Sequence, residues 1–405
     1  MFFKEKLLRK INIYQKMMSF LFLITVIAVS SLPSDLSANG QPVYWGGVSF
    51  SGDWQERESL YPATSKLLNC ETNKICLDDL AREQFINKKF DKFELNTGKI
   101  KAKEVEGLVG VISISNEFFG TYQDWKTKNY FGIGRLFGQF LIYEFGTGKI
   151  IQNVPFAVRA VHDQPSPFSE KDKQDLFQRL VLVNTGETNL FDEAYKKSKG
   201  LDPTNLPGKF TKIGKFDFTE AAKNSFLAKD EKHFGSKFGQ FFESELVGRT
   251  DAHFIPMSLG SSTLKNKLQL KFGDRSRELT VPAAAFKVDI LVRMAKLFES
   301  NRGAQRTICP AVAITLNVAS EIDTVTNLKF AIMKDACGVT SSEQKLNMRY
   351  RFSRSLFSLL QNMAKQFGMP DPSAEWLAKN AKGNDGKNVK EEIKKLRKEV
   401  FDADF

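Results

Sequence analysis

The sequence contains few of the residues that usually bind metals or act as catalytic bases. It has four cysteines and only three histidines, which are His162, His233 and His253. Asp163 follows the first histidine and Asp251 precedes the third, but neither pair has a further ligand at metal-binding spacing. The sequence also lacks a Gly-x-Ser-x-Gly motif, so Ser261-Ser262 is interpreted as part of a turn. We therefore predict no metal site and no catalytic serine.

Two short motifs that suggest catalysis have simpler interpretations. Asp53, Glu56 and Glu58 could be glycosidase carboxylates, but acidic residues are also favoured at the start of a helix. The segment 146–149, Gly-Thr-Gly-Lys, is not a phosphate-binding loop, because such a loop needs a glycine where Tyr143 stands. We predict no catalytic residue and no cofactor, which favours a non-enzymatic protein.

The chain lacks a dense basic patch, although its formal net charge is +12. Removal of the presumed signal segment, which carries +3, leaves +9. Such an excess would suit nucleic acid, anionic lipid or acidic glycan. However, the basic residues are interleaved with acidic ones, whereas a nucleic-acid interface needs them clustered on one face. The pattern therefore disfavours nucleic acid as a partner.

The first forty residues have the layout of a secretory signal peptide. A basic segment from Lys4 to Lys16 precedes an apolar run from Phe20 to Val29, and a small-residue stretch ends at Ala38. This run is shorter than the ~20 residues that a spanning helix needs. We expect cleavage after Ala38, with cleavage after Ser30 as the alternative, and a mature chain that begins at Asn39. The protein is then periplasmic or secreted, or anchored in the inner membrane if the signal is not cleaved.

The pattern of apolar residues predicts an α/β (α+β) fold with two domains, each a mostly antiparallel sheet with covering helices, and a C-terminal helix. The predicted segments are a signal peptide at 1–38, an N-terminal domain at 39–183, a linker at 184–214, a C-terminal domain at 215–372 and a charged helical tail at 373–405. Glycines and prolines in 184–214 indicate the linker. The two halves could be a distant repeat.

Strands and helices follow from local patterns. In the first half we predict strands at 43–50, 108–119, 136–145 and 150–161. We also predict a loop and a helix within 53–68, and either a helix or a helix–strand junction at 172–183. In the second half we predict strands at 286–294, 310–319 and 327–336, and a helix that starts at Ser353 and ends before Gly368.

Two further segments have apolar residues at helical spacing, and each has two interpretations. The first segment is either a buried helix or an interfacial membrane helix, so a peripheral membrane contact stays open; its apolar residues are Phe234, Phe238, Phe241 and Leu246. The tail is either docked on its own domain or binds a partner; its apolar residues are Val389, Ile393, Leu396 and Val400.

The region 43–161 resembles a known group of envelope domains. It contains "GLVGVISISNEFF" and "FGQFLIYEFGTGKIIQNVPF", with Glu144-Phe145 before the Thr-Gly-Lys turn. The order of strand, helix, long strand and hairpin resembles the curli-secretion and TolB N-terminal type of domain. Curli-secretion proteins are usually lipoproteins, and this chain has no cysteine after its apolar run for lipid attachment. The resemblance implies a role in envelope binding or assembly and transfers no catalytic residue.

The four cysteines predict two disulfides in an oxidising compartment. Cys70 and Cys76 bracket a short polar loop and are expected to pair locally. Cys309 and Cys337 are expected to staple a long antiparallel hairpin whose tip lies near Asp323. In this register, facing positions sum to 646, which gives the pairs Ile314 with Ile332, Leu316 with Phe330, and Val318 with Leu328.

Together these features favour an exported non-enzymatic protein that binds or helps to assemble cell-envelope components. The expected partner is an envelope protein or glycan. The alternative is a secreted hydrolase whose active site is built from scattered loops.

Overall fold

The fold is of the mixed α/β class that the sequence predicts, with two β-sheets and covering helices. The computed structural model describes residues 41–405, except 53, 68–75, 99–106, 125, 183–187, 227–233, 258–266, 273–274, 321–323, 333–336, 342–346, 382–385 and 403–405. Residues 41–405 form one compact unit. The expected signal peptide lies outside the described residues.

The first sheet has seven strands and is built around a central parallel pair. Its strands are β1 (Gln41–Ser51), β2 (Phe93–Asn96), β3 (Leu108–Gln123), β4 (Tyr130–Glu144) and β5 (Ile150–Gln164), and later in the chain β7 (Lys267–Phe272) and β8 (Arg275–Thr280). The strand order is β5-β4-β3-β1-β7-β8, and β2 also pairs with β1. β1 is parallel to β2 and β3, while β3, β4 and β5 form an antiparallel meander.

The second sheet has five strands and comes from the second half of the chain. Its strands are β6 (Thr211–Phe218), β9 (Phe286–Arg302), β10 (Gln305–Ser320), β11 (Thr324–Ile332) and β12 (Gly338–Ser341). The order is β11-β10-β9-β6, and β12 pairs with β10. β6 is parallel to β9, and the remaining pairs are antiparallel.

Helices connect and cover the strands. They are α1 (Arg57–Leu60), α2 (Leu77–Phe85), α3 (Glu170–Arg179), α4 (Leu190–Ser198), α5 (Glu220–Ser225), α6 (Ser236–Val247), α7 (Met348–Gly368), α8 (Ala374–Asn380) and α9 (Gly386–Leu396), which a π-helical turn (Arg397–Phe401) continues. Side-chain caps explain several starts: Ser169 and Asp172 form a capping box at α3, and Thr219 caps α5.

Both sheets arise from the same order of elements. In each half a strand leads through helices to a parallel neighbour, two antiparallel strands follow, and helices return to the sheet. The first half runs β1, α1–α2, β3, β4, β5 and α3–α4, and the second half runs β6, α5–α6, β9, β10, β11 and α7–α8. The two halves therefore share this order, with β2 as an addition in the first half and β7–β8 placed between α6 and β9 in the second. That the halves are a distant repeat stays a prediction. Residues 137–140 and 238–241 have the same sequence, Phe-Gly-Gln-Phe, but the first stretch lies in β4 and the second in α6, so they do not occupy equivalent places in this order.

Helix α6 lies between the sheets, since it packs against β5 of the first sheet and against β6 of the second. Its residues Phe238, Phe241 and Phe242 are buried in a core cluster that also contains Phe118 and Phe137 of the first sheet. Burial of this helix on several sides supports the interpretation of 234–246 as a core element. Among the described residues, no helix is both long and apolar enough to cross a bilayer.

Several expected boundaries differ from the structure. The expected linker contains α4 and the start of β6, because Leu190, Phe191 and Ala194 form an apolar face that packs on the first sheet. The expected C-terminal domain contributes β7 and β8 to the first sheet. The helix expected within 53–68 is present as the short α1, with 3-10 turns at Trp54–Glu56 and Thr64–Leu67 on either side of it. The charged tail is docked, with the apolar face of α9 and the following turn buried in the core.

The predicted disulfide between Cys309 and Cys337 is present, with a Cα–Cα distance of 4.0 Å. The predicted register holds beside it, because Ile308 pairs with Gly338. It is wrong farther along, where Ile314 pairs with Phe330 and Leu316 with Leu328. Val312 of β10 pairs with Ile332 of β11. Two residues lie between this pair and the disulfide on the β10 side, but four lie between them on the other side, so the register shifts by two residues. The shift of two residues preserves which face each side chain occupies. Asp323 lies outside the described residues, between the ends of β10 and β11.

Candidate functional site

A cleft rich in arginine opens where β4 and β5 of the first sheet meet α6 and α7. We call it the arginine cleft. It has two compartments of about 250 Å³ and about 530 Å³. They share Arg135, Arg159, Phe241 and Gln361, which form the junction between them.

Arg135 is the central cation of the cleft. Its guanidinium carbon lies 4.9 Å from the ring centroid of Phe241 and 4.5 Å from that of Phe357. Burial lowers the pKa of Arg135 to about 10, with the charge of Arg159 as a further cause. The side chain therefore keeps its positive charge at neutral pH. In the described part of the chain it has no ion pair and no side-chain hydrogen bond.

Arg159 faces Arg135 directly, because the two residues are register partners in the antiparallel β4–β5 pair. Two like charges at directly opposed positions destabilise a sheet. Arg354 of α7 lines the same compartment, and both Arg159 and Arg354 are exposed. Glu245 of the larger compartment attracts Arg135 electrostatically, but its carboxylate is bonded to Arg249 at 2.9 Å. Within the described part of the chain, the three arginines therefore carry more positive charge than the carboxylates of the cleft offset.

Aromatic rings form the wall of the smaller compartment. Tyr122 stacks on Tyr350 with a centroid separation of 4.8 Å, and Phe131, which does not line the compartment, stacks on Tyr122 at 5.2 Å. Burial raises the pKa of Tyr350 to about 12, so its hydroxyl stays protonated at neutral pH. Ile133 and Phe118 complete this wall. The compartment therefore offers an apolar surface beside its guanidinium groups.

The larger compartment is more polar. It is lined by two further cations, Lys197 and Arg249, and by two carboxylates, Glu193 and Glu245. The ammonium of Lys197 lies against the backbone of Gly248, where a side chain at this position would collide with it. Partial burial lowers the pKa of Lys197. Across both compartments, five cations therefore face two carboxylates.

Two buried carboxyl groups lie in the core. Burial raises the pKa of Glu117 to about 7, although its carboxylate accepts hydrogen bonds from the backbone of Ala63 at 3.0 Å and of Thr64 at 2.6 Å. These bonds fix the turn at 63–64. Burial also raises the pKa of Glu243 on α6 to about 8, while Asn153 and the backbone of Met257 donate to it. Both groups are structural carboxyls.

The histidines do not form a site together. The Nδ1 atom of His162 lies 3.4 Å from Arg179, and its neighbour Asp163 accepts a hydrogen bond from Asn129. Burial lowers the pKa of His253, whose ring packs on Phe210. His233 and Ser261-Ser262 lie outside the described residues. Within the described ranges, no group of three histidine, cysteine or acidic residues could hold a metal ion.

The remaining candidate residues have local roles. Glu56 and Glu58 lie in the short helical turns near residue 57, as expected for acids at a helix start, and Asp53 lies outside the described residues. The segment 146–149 is the tip of the β4–β5 hairpin, where Gly148 has a φ of 69°. Cys76 is disulfide-bonded, while its expected partner Cys70 lies outside the described residues. The pairing of these two cysteines stays a prediction.

Sequence reasoning did not find the arginine cleft. Arg135 and Arg159 are 24 positions apart in the sequence, and both are about 200 positions from Arg354. Tertiary packing brings the three residues together. The available signal was the hairpin itself, since its tip at 146–149 places 135 and 159 opposite each other.

Comparison with known proteins adds no identification. No protein-family model matches the chain, and no curated protein matches it significantly.

Proposed function

We propose that this is an exported, non-enzymatic binding protein, and that the arginine cleft holds an acidic group of a cell-envelope component. The observation that carries the proposal is the opposed pair Arg135 and Arg159, which shares one sheet face and forms no ion pair with a carboxylate among the described residues. Repulsion between the two guanidinium groups destabilises the protein when no anion is bound, and a bound anion offsets this repulsion. Ion pairs on the protein surface contribute little binding free energy, because water and salt screen the charges. The guanidinium of Arg135 is screened less, because the rings of Phe241 and Phe357 enclose it.

Export is supported by two features of the chain. The first forty residues have the composition of a signal peptide, and the Cys309–Cys337 disulfide suits an oxidising compartment. The expected partner is an envelope protein or glycan. The resemblance of 43–161 to envelope domains points in the same direction.

Titration with inorganic phosphate, followed by NMR of the mature chain, tests the binding site. Two charge-assisted hydrogen bonds of about 2 kcal/mol each correspond to a dissociation constant on the order of 1 mM. We expect resonances of Arg135 and Arg159 to shift saturably. Arg159→Gln is the main variant, because this exposed side chain can change without loss of packing.

Arg302→Gln is the matched control, since it removes the same charge at the exposed end of β9. We expect Arg159→Gln to weaken phosphate binding about tenfold, whereas Arg302→Gln leaves it unchanged. Equal weakening in the two variants would mean that phosphate responds only to net charge, and would refute the site.

A further inference from the structure

The charges of the arginine cleft favour a ligand with one acidic group over a continuous polyanion. Arg135, Arg159 and Arg354 surround the smaller compartment and the junction. In the larger compartment Glu193 and Glu245 offset the charges of Lys197 and Arg249. A uniform polyanion that crossed both compartments would be attracted at the junction but would also meet these two carboxylates, and such unfavourable contacts select against a partner. The ligand therefore carries its acid at the junction and uncharged groups beyond it.

The group next to that acid must be apolar. On one side of the junction the cleft ends in the aromatic wall of Tyr122, Ile133 and Tyr350. Its volume of about 250 Å³ is just below the usual range for a complete small-molecule pocket, so it accommodates one ring or side chain rather than a whole ligand. Displacing water from these rings contributes binding free energy only if the ligand is apolar there.

Guanidinium groups present their donors in planar forks, which suit two oxygens of a carboxylate or of a phosphate. Of these two acids, a carboxylate can stand one carbon away from a large apolar group, as the neighbouring aromatic compartment requires. Resting on the proposed function, we infer that the cleft binds a carboxylate carried next to a large apolar or aromatic group. Two sources share this chemistry: the carboxyl end of a polypeptide with a large apolar last residue, and a free aromatic acid.

The larger compartment extends from the junction and offers hydrogen-bonding groups such as Gln361 and Ser244. It leaves room for the main chain that precedes a terminal carboxylate, and a free aromatic acid would leave it empty. The geometry thus favours the polypeptide end.

Isothermal titration of the mature chain with small probes tests the inference. We expect N-acetylphenylalanine to bind at least tenfold more tightly than N-acetylalanine, because only the former fills the aromatic compartment. Its amide should bind at least tenfold more weakly than the acid, because the carboxylate is lost. A hexapeptide that ends in phenylalanine should bind more tightly than 3-phenylpropionate if the source is a polypeptide end. Equal binding of these two would assign the site to free aromatic acids and would still support the shared chemistry.

One variant separates this inference from the proposed function. Ile133→Ala should weaken the binding of N-acetylphenylalanine several-fold more than it weakens the binding of inorganic phosphate, with the exposed Ile86→Ala as its control. If N-acetylphenylalanine and N-acetylalanine bind equally while phosphate binding still depends on Arg159, the inference is wrong and the anion site stands. If no anion binds, both proposals fail.

Discussion

The amide nitrogen of Asn153 lies 3.5 Å from the carboxyl oxygen of Glu243, and this contact joins β5 to α6 in the layer between the two sheets. The same amide donates to the backbone carbonyl of Phe254 at 3.0 Å. Glu243 is therefore a buried acid with few donors around it. Its burial accounts for the pKa of about 8.

Replacement of Glu243 by glutamine should change how stability depends on pH. The folded protein keeps the proton of Glu243 up to about pH 8, whereas the unfolded chain releases it near pH 4.5. The free energy of unfolding therefore falls as pH rises between these values, by about 1 kcal/mol per pH unit. Glu243→Gln should raise the unfolding midpoint at pH 8 and leave it nearly unchanged at pH 4.

Urea unfolding across this pH range checks the prediction, with exposed Glu94→Gln as the control. Glu117 contributes a decline of the same sign up to about pH 7, so the Glu243→Gln variant should keep part of the slope. Identical pH profiles for wild type and Glu243→Gln would contradict the assignment.

Loss of the Cys309–Cys337 disulfide should destabilise the second sheet. The bond closes a loop with a sequence separation of 28, for which chain entropy gives about 3 to 4 kcal/mol. The double variant Cys309→Ser and Cys337→Ser should unfold at a correspondingly lower urea concentration. A reducing agent should lower the stability of wild type but not that of the double variant. Alkylation should confirm that the reduced wild type has free thiols. If its stability is nevertheless unchanged by reduction, the disulfide does not stabilise the protein.

Gly235 should not tolerate a side chain. A Cβ atom at this position would collide with the backbone carbonyl oxygen of Phe216 in β6, where no flexible side chain can move away. Gly235→Ala should therefore cost about 1 to 3 kcal/mol of stability. Gly146→Ala is the matched control, because no atom lies within 4 Å of its added Cβ. If Gly235→Ala unfolds at the same temperature as the wild type, α6 can move away from β6 and the prediction is wrong.

Export should leave a mature chain that begins near Asn39. The basic segment and short apolar run before Ala38 motivate this expectation. Edman sequencing or mass spectrometry of protein from the native host gives the new N-terminus. A mature protein that retains the segment from Lys4 to Lys16 would instead favour the membrane-anchored alternative.

Local patterns predicted the elements whose residues are strongly periodic. The β4–β5 hairpin and helix α7 lie where they were predicted because each alternation or stripe faces a core directly, although α7 begins at Met348 and not at Ser353. Strands β7, β8 and β12 are short and partly polar, so pattern alone did not indicate them. The disulfide was predictable because Cys309 and Cys337 are equally distant from position 323. The two-residue shift in register before Cys337 was not predictable, since two additional residues leave the alternation of apolar and polar side chains unchanged.

The arginine cleft escaped prediction for a different reason. The sequence of a strand does not show whether its charged side chains face water or face the charged side chains of another strand. The opposition of Arg135 and Arg159 depends on hairpin register, and the enclosing rings of Phe241 and Phe357 come from two helices in the other half of the chain.

The pairing of β1 with β7 constrains when the chain can fold. Phe50 is the register partner of Lys271, so 221 residues separate the two sides of this contact. During synthesis the end of β1 has no β7 beside it until almost two thirds of the polypeptide has been made. Contacts of such long sequence separation slow folding, and an unpaired strand edge invites association with other chains. A nascent or truncated chain that stops before β7 therefore depends on chaperones in a way that the finished protein does not.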